Sequence, residues 1–158
     1  MAPLMRGGDD EIVIEVNLMV RGISLPSSSC PMCTLEDEDE DHLFFRCPVA
    51  KETWRRISWW ANNDFVCQGS IHNILSSLGN DNEVGRKNKI KMVIVFATIW
   101  EIWTCRNKWA FKSTRTSMEY LLDAIKVQAF TWVTHRGRKI ATVWDKWKDN
   151  PWEGVVLL

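Results

Sequence analysis

Three cysteines and one histidine follow one another at intervals that suit the binding of a single metal ion. Cys30, Cys33, His42 and Cys47 form the pattern C-x2-C-x8-H-x4-C. Zinc is bound tetrahedrally by thiolate and imidazole groups, and a structural zinc site fills all four positions with protein ligands. A two-residue spacer lets one tight turn aim Cys30 and Cys33 at the same ion. The pattern therefore predicts a Zn2+ cofactor held by these four side chains.

The remaining thiols and histidines lie outside this pattern. Cys67 and Cys105 occur in apolar or helical surroundings and are predicted to be buried free thiols, whereas His72 and His135 have no ligand partners nearby in sequence. The N-terminus has no apolar stretch that could serve as a secretory signal. We therefore expect an intracellular location, in the nucleus or the cytoplasm, where cysteines bind metals or stay free.

The sequence offers no constellation of residues for catalysis. It contains no P-loop, no HExxH motif and no Ser-His-Asp order. Asp9 and Asp10 follow two glycines, and no strand precedes them that could present a polymerase carboxylate pair. We predict that the protein is not an enzyme.

The net charge of zero hides a division along the chain. Residues 1–50 carry three basic and ten acidic residues, a net charge of −7, and residues 51–158 carry seventeen and ten, a net charge of +7. Three thiolates and one Zn2+ ion add up to −1, and the acidic run Glu36–Asp41 lies beside them. Such a surface repels a phosphate backbone. We therefore predict that the acidic run is a solvated loop without a partner.

Contact with RNA or DNA, if made, is expected from the basic C-terminal two-thirds. The candidate side chains are Arg55, Arg56, Arg86, Lys87, Lys89, Lys91, Arg136, Arg138 and Lys139. The same residues would also suit the exposed stripes and ends of helices. Trp54, Trp59 and Trp60 could stack on unpaired bases, although tryptophans at helical spacing usually belong to a core.

The elements that position these residues are predicted to be helices. The composition, with 46% hydrophobic and 25% charged residues, is that of a globular protein. The longest apolar run, Met92–Trp100, has nine residues, whereas a membrane span needs about 20, so no membrane contact is expected. Helical spacing of apolar residues covers His42–Trp60, Ile71–Leu78, Arg86–Lys112 and Thr116–Lys148.

The predicted fold class is mostly α, with a small zinc-stapled N-terminal module followed by a Trp-rich helical bundle. The last two helices are expected to pack antiparallel because their connection is short. Six residues should be buried between them: Phe96, Trp100, Trp103, Leu121, Ile125 and Trp132. Gly137 marks a possible kink in the second helix, and the apolar tail Val155–Leu158 is left over.

Residues 17–60 resemble a known family, the reverse transcriptase zinc-binding domain of plant non-LTR retrotransposon polyproteins. They contain an Asn-Leu…Arg-Gly-Ile lead-in, the CPMC turn, an acidic linker and the motif HLFFRC. The resemblance implies that the four residues of the cysteine and histidine pattern bind the metal and that Trp54 is the recurrent tryptophan of the next helix. Ile99–Phe111 is similar, more loosely, to a Trp-rich helix with an Arg-Asn pair in the tail of such polyproteins. The resemblance also implies a role in contacting nucleic acid.

The chain departs from the family pattern at its start and in lacking the polymerase. We expect a lead-in at 1–16, a zinc module shortened at its N-terminal side at 17–62, a loop and short helix at 63–85, two long packed helices at 86–150, and a tail at 151–158. Three functions stay open. They are a zinc-binding module that contacts RNA or DNA, a structural or protein-interaction module, and a degenerate mobile-element fragment.

Overall fold

Helices make up most of the structure, a computed structural model that describes residues 28–62, 70, 72–74, 76, 86–136, 140–153 and 155–157. The helical elements are α1 (His42–Arg46, a π-helical turn), α2 (Pro48–Trp60), α3 (Arg86–Lys112), α4 (Met118–Arg136) and α5 (Trp144–Trp147). There are also two short strands, β1 (Ile140–Thr142) and β2 (Val155–Leu157), and residues 72–74 and 76 are helical. The predicted mostly α fold class is confirmed. The predicted order, with the cluster of zinc-site residues before the helical region, is confirmed as well. The expected lead-in at 1–16 lies outside the described residues, as does most of the expected loop and short helix at 63–85.

The sequence of helix α2 explains where the helix begins and which of its faces is buried. Pro48 occupies the first turn, where its missing N–H is no loss and its fixed φ suits the helix. Ala50, Trp54, Ile57 and Trp60 recur at intervals of three or four residues and are buried. Burial of this face joins α2 to the rest of the chain.

Helices α3 and α4 pack against each other and supply much of the core. The buried residues of α3 include Ile90, Ile94 and Ile102. Those of α4 include Leu121, Ile125, Ala129 and Val133, spaced by four residues. The connection between the helices, 113–117, is of the length that joins antiparallel neighbours.

Three residues expected to be buried between the long helices are exposed, so that prediction is wrong for them. Phe96, Trp100 and Trp103 are 39%, 41% and 42% exposed. Leu121 and Ile125 are buried as expected, whereas Trp132 is half-buried. The reason is geometric: in the described part, α1, α2 and α4 cover one side of α3 and leave an apolar stripe outside.

The expected helix Thr116–Lys148 is also wrong, because α4 ends at Arg136. Gly137, a weak helix former, follows immediately, and Ile140–Thr142 then pairs antiparallel with Val155–Leu157. The apolar tail, which the sequence pattern assigned to no helix, therefore contains a strand with a partner. β-Branched residues in 140–143 favour this extended conformation.

Buried aromatic contacts hold the C-terminal segment onto the helices. Trp147 is fully buried, and its Nε1 donates a hydrogen bond to the carbonyl of Lys126 at 3.0 Å. Its ring meets Trp60 edge-on, with 5.7 Å between centroids. Trp60 in turn donates from Nε1 to the carbonyl of Lys148 at 3.0 Å, and Trp152 donates to the carbonyl of Ala61.

The cysteine-bearing segment and the helices share one hydrophobic core. Cys30 and Cys47 belong to the same cluster of buried residues as Ile94, Ile125 and Trp147. The two parts of the expected architecture therefore meet without a solvent gap. Among the described residues, none of the helices has the length and hydrophobicity that a membrane crossing requires.

Candidate metal centre

A tight turn presents the first two cysteines. The N–H of Thr34 donates to the carbonyl of Cys30 at 2.8 Å and closes the turn around Pro31 and Met32. Thr34 adopts a left-handed φ of 59°, which is unfavourable for a β-branched residue. The N–H of Cys30 donates to the carbonyl of Glu36 at 2.8 Å, so the turn is fastened to the residues that follow it.

A wide helical turn presents the second pair of ligands. In an α-helix, residues five apart differ by about 140° around the axis, so His42 and Cys47 would point in different directions. Here the N–H of Cys47 donates to the carbonyl of His42 at 2.7 Å, a π-type bond that spans five residues. The sequence predicted one helix over 42–60, whereas the structure has α1, an extended Cys47 and then α2. The x4 spacer suits the wide turn, which brings both ligands to one side.

The structure brings all four predicted ligands together. Their ligand atoms, three Sγ and one imidazole nitrogen, all lie within 4.8 Å of one another. The Sγ atoms of Cys30 and Cys47 are 4.0 Å apart, and Nε2 of His42 lies 3.3 Å from Sγ of Cys33. Cys30, His42 and Cys47 are fully buried, and Cys33 is half-buried. All four side chains are positioned to bind a metal ion.

Two of these separations are close to those of a tetrahedral zinc site. Zn–S and Zn–N bonds of about 2.3 Å and 2.0 Å at a tetrahedral angle place two sulfurs about 3.8 Å apart, and a sulfur and a nitrogen about 3.5 Å apart. The observed 4.0 Å and 3.3 Å are close to these values. The same 4.0 Å is far longer than a disulfide bond, and all three cysteines are free thiols.

The three thiols of the cluster differ in how strongly their surroundings hold a proton. Burial raises the pKa of Cys30 and raises that of Cys47 to about 12. Burial also acts to raise the pKa of Cys33, but the backbone N–H groups of Leu35 and Glu36 and the His42 ring outweigh it and lower this pKa to about 7. Two of the sulfurs therefore carry protons at neutral pH unless a metal ion replaces them.

The acidic run is mostly exposed, as expected, but it contacts the centre, so the expectation that it has no partner is wrong. Oε2 of Glu36 lies 3.1 Å from Nδ1 of His42. Oδ1 of Asp39 accepts the backbone N–H of His42 at 2.7 Å, and its other oxygen accepts from Arg46 at 2.7 Å. These hydrogen bonds and the Arg46 charge lower the pKa of Asp39. Both the backbone and the ring of His42 are thus held by linker carboxylates.

Two further carboxylates of the run join it to other segments. Asp37 accepts a hydrogen bond from the hydroxyl of Ser28 at 2.8 Å. Oε1 of Glu38 accepts from Nε of Arg106, on α3, at 2.7 Å, and the two side chains are only 14% and 19% exposed. The linker is therefore part of the packed structure and ties the centre to α3.

The helix tryptophan implied by the resemblance lies directly behind the centre. Trp54 is buried, stacks on Phe45 with 6.1 Å between centroids, and donates from Nε1 to the carbonyl of Phe44 at 2.8 Å. It thus fixes α1 against α2. Trp60 is also buried, whereas Trp59 is 84% exposed, so two of the three candidate stacking residues belong to the core.

The structure separates the candidate nucleic-acid contacts into distinct groups. Arg55 and Arg56 both donate to Glu52 at 2.7 Å, and these bonds lower the pKa of Glu52 to about 2. Lys87 and Lys89 are exposed near the start of α3, and Lys91 is half-buried. The side chains of Arg86 and Arg136, and residues Arg138 and Lys139 as a whole, lie outside the described part.

Free Cys105 is buried as expected, while Cys67 is outside the described residues.

Sequence reasoning missed the residues that support the ligands. Asp39 precedes His42 by three positions, a spacing at which a carboxylate caps a helix start, so that contact had a local signal. No local sequence signal predicted the contact of Glu36 with the ring of His42, six residues away, or the contact of Glu38 with Arg106.

Comparison with known proteins agrees with this geometry. Residues 4–54 match the family model for zinc-binding in reverse transcriptase. The match contains all four ligand positions and Trp54, begins within the expected lead-in, and covers the zinc-binding part without a polymerase part. Neither a curated protein nor a solved structure matches the chain. The resemblance to the reverse transcriptase zinc-binding domain is confirmed for these residues, and their Cys3His cluster is positioned to bind a metal ion.

Proposed function

We propose that this chain is a zinc-binding module without catalytic activity, derived from a retrotransposon reverse transcriptase polyprotein. The observation that carries the proposal is the convergence of four protein ligands, three of them fully buried, at separations suited to tetrahedral zinc. Thiolates select zinc over magnesium, calcium or manganese. A catalytic zinc site keeps one position open for water or substrate, whereas here four side chains supply a complete set.

The zinc ion would act by fastening the acidic linker and α1 onto the helical core. Met32, Leu43, Phe44 and Phe45 are buried around the centre. A segment as short as residues 28–47 makes few packing contacts within itself. Zinc ligation supplies folding free energy to small modules of this kind. The ion would therefore stabilise the packing of residues 28–47 against α2 and α3.

Contact with RNA or DNA is a second function, which two groups of cations support. Lys87 and Lys89 are exposed at the start of α3. At its other end, Nζ of Lys108 lies 5.4 Å from the ring centroid of Tyr120, which is 59% exposed. Cations beside exposed aromatic rings suit single-stranded nucleic acid, and this role would place the protein in the nucleus or cytoplasm. The paired Arg55 and Arg56 are weaker candidates.

A protein partner is the alternative, and the exposed side of α3 favours it. Met92, Phe96, Trp100 and Trp103 lie along one stripe of the helix, and contiguous apolar surface of this kind often marks a protein interface. A degenerate fragment without selected function would show neither activity.

Metal analysis of the purified protein and an RNA titration together test the proposal. We expect one zinc per chain in the wild type and none in Cys33→Ser, with Cys105→Ser as a matched control that keeps its zinc. Nucleic-acid contact predicts binding of single-stranded RNA that weakens steeply between two salt concentrations. A wild type without zinc would contradict the proposed module. Zinc with no salt-dependent binding would contradict the nucleic-acid role alone.

A further inference from the structure

The two ring nitrogens of His42 face different groups. Nε2 lies 3.3 Å from Sγ of Cys33, inside the ligand cluster, and Nδ1 lies 3.1 Å from Oε2 of Glu36, outside it. A neutral imidazole can bind a metal through one nitrogen while the other carries the proton. The geometry separates these two tasks between the nitrogens of one fully buried ring.

Glu36 is well fixed for an exposed residue. Its carbonyl accepts the N–H of Cys30 at 2.8 Å, and its neighbour Asp37 pairs with Ser29 in an antiparallel bridge. Nε of Arg46 lies 3.9 Å from its carboxylate. One residue is thus tied through its backbone to the first cysteine ligand and through its side chain to the histidine ligand.

We propose that Glu36 is the positioning residue of the metal centre. Its carboxylate accepts the Nδ1–H of His42, fixes the tautomer in which Nε2 is free to bind, and holds the ring plane toward the three sulfurs. A carboxylate on the far nitrogen also makes the imidazole a better donor to the metal. This inference rests on the proposed zinc function and assigns a task to one carboxylate of the acidic run.

A set of four variants separates the effect of the Glu36 hydrogen bond from the effect of a negative charge in the linker. Glu36→Ala removes the acceptor, Glu36→Gln keeps an acceptor oxygen without the charge, and Glu40→Ala and Glu40→Gln remove an exposed charge from the same linker. Competition with a chromophoric chelator gives the zinc affinity of each folded protein. We expect Glu36→Ala to weaken zinc binding about 10–100-fold, Glu36→Gln to weaken it less, and both Glu40 variants to match the wild type.

Nitrogen-15 NMR of the zinc-loaded wild type tests the tautomer directly and needs no variant to fold. We expect zinc on Nε2 and a proton on Nδ1 that is slow to exchange with water, and faster exchange in Glu36→Ala. Zinc on Nδ1, an unchanged affinity of Glu36→Ala, or an equal loss in Glu40→Ala would each overturn the inference. A wild type that binds no zinc would instead contradict the proposed function itself.

Discussion

Three ligands of the metal centre depend on other residues nearby in sequence for their position. A backbone bond to Glu36 holds Cys30, a five-residue turn joins His42 to Cys47, and the carboxylates of Glu36 and Asp39 hold the histidine on two sides. Because burial raises the pKa of Cys30 and Cys47, the protein alone favours their neutral thiols. The metal ion and the protons therefore compete for the same sulfurs.

Zinc affinity should fall as the pH is lowered. At pH 8 the Cys30 and Cys47 thiols are protonated without metal, while Cys33, with a pKa of about 7, is largely thiolate. Binding then releases about two protons, and the apparent affinity falls by about a hundredfold per pH unit. Below pH 7 the third thiol adds to the slope. Calorimetric titrations in buffers of different ionisation enthalpy would count the protons, and a release of none would contradict this assignment.

The helices show how far local sequence determines structure in this chain. Arg86–Lys112 was predicted with the bounds that α3 has, because its apolar periodicity runs without interruption. The break between α1 and α2 at Cys47 depends on a π-type turn. The end of α4 depends on the pairing of Ile140–Thr142 with a strand that begins fifteen residues later. Periodicity over a short window carries no information on either. The ligands could be predicted because zinc needs a particular set of side chains; Arg106, 68 residues from Glu38, could not.

Glu101 on α3 should reduce stability at neutral pH. Desolvation raises its pKa, with Lys108 acting weakly in the opposite sense. The folded state therefore favours the protonated form, so stability is lost as the pH rises from the ordinary carboxyl pKa through the raised one. We expect Glu101→Gln to unfold at a higher temperature than the wild type at pH 7 and at the same temperature at pH 3. A lower melting temperature for the variant at pH 7 would show that the carboxylate makes a favourable contact.

The described residues share one hydrophobic core, and the Glu38–Arg106 pair is a polar link between the acidic linker and α3. Both side chains are mostly buried, so Arg106→Met leaves a carboxylate without its cation at a cost of about 2 kcal/mol. Arg55→Met, at an exposed pair on α2, should change the stability much less, because water screens an exposed ion pair. Urea unfolding of the zinc-loaded proteins measures both. Glu38→Gln combined with Arg106→Met should recover part of the loss, and full additivity would argue against a direct link.

The central claim is that a metal ion holds residues 28–47 onto an otherwise helical protein. Hydrogen exchange of the zinc-loaded protein, with and without a chelator, tests it most directly. The amides of Cys30, Thr34 and Cys47, which donate to backbone carbonyls, should lose protection when zinc is removed. Those of Ile94 and Ile125, buried residues of α3 and α4, should keep most of theirs. Unchanged protection at the three amides around the centre would contradict a structural metal, and equal loss along the whole chain would contradict helices that fold without it.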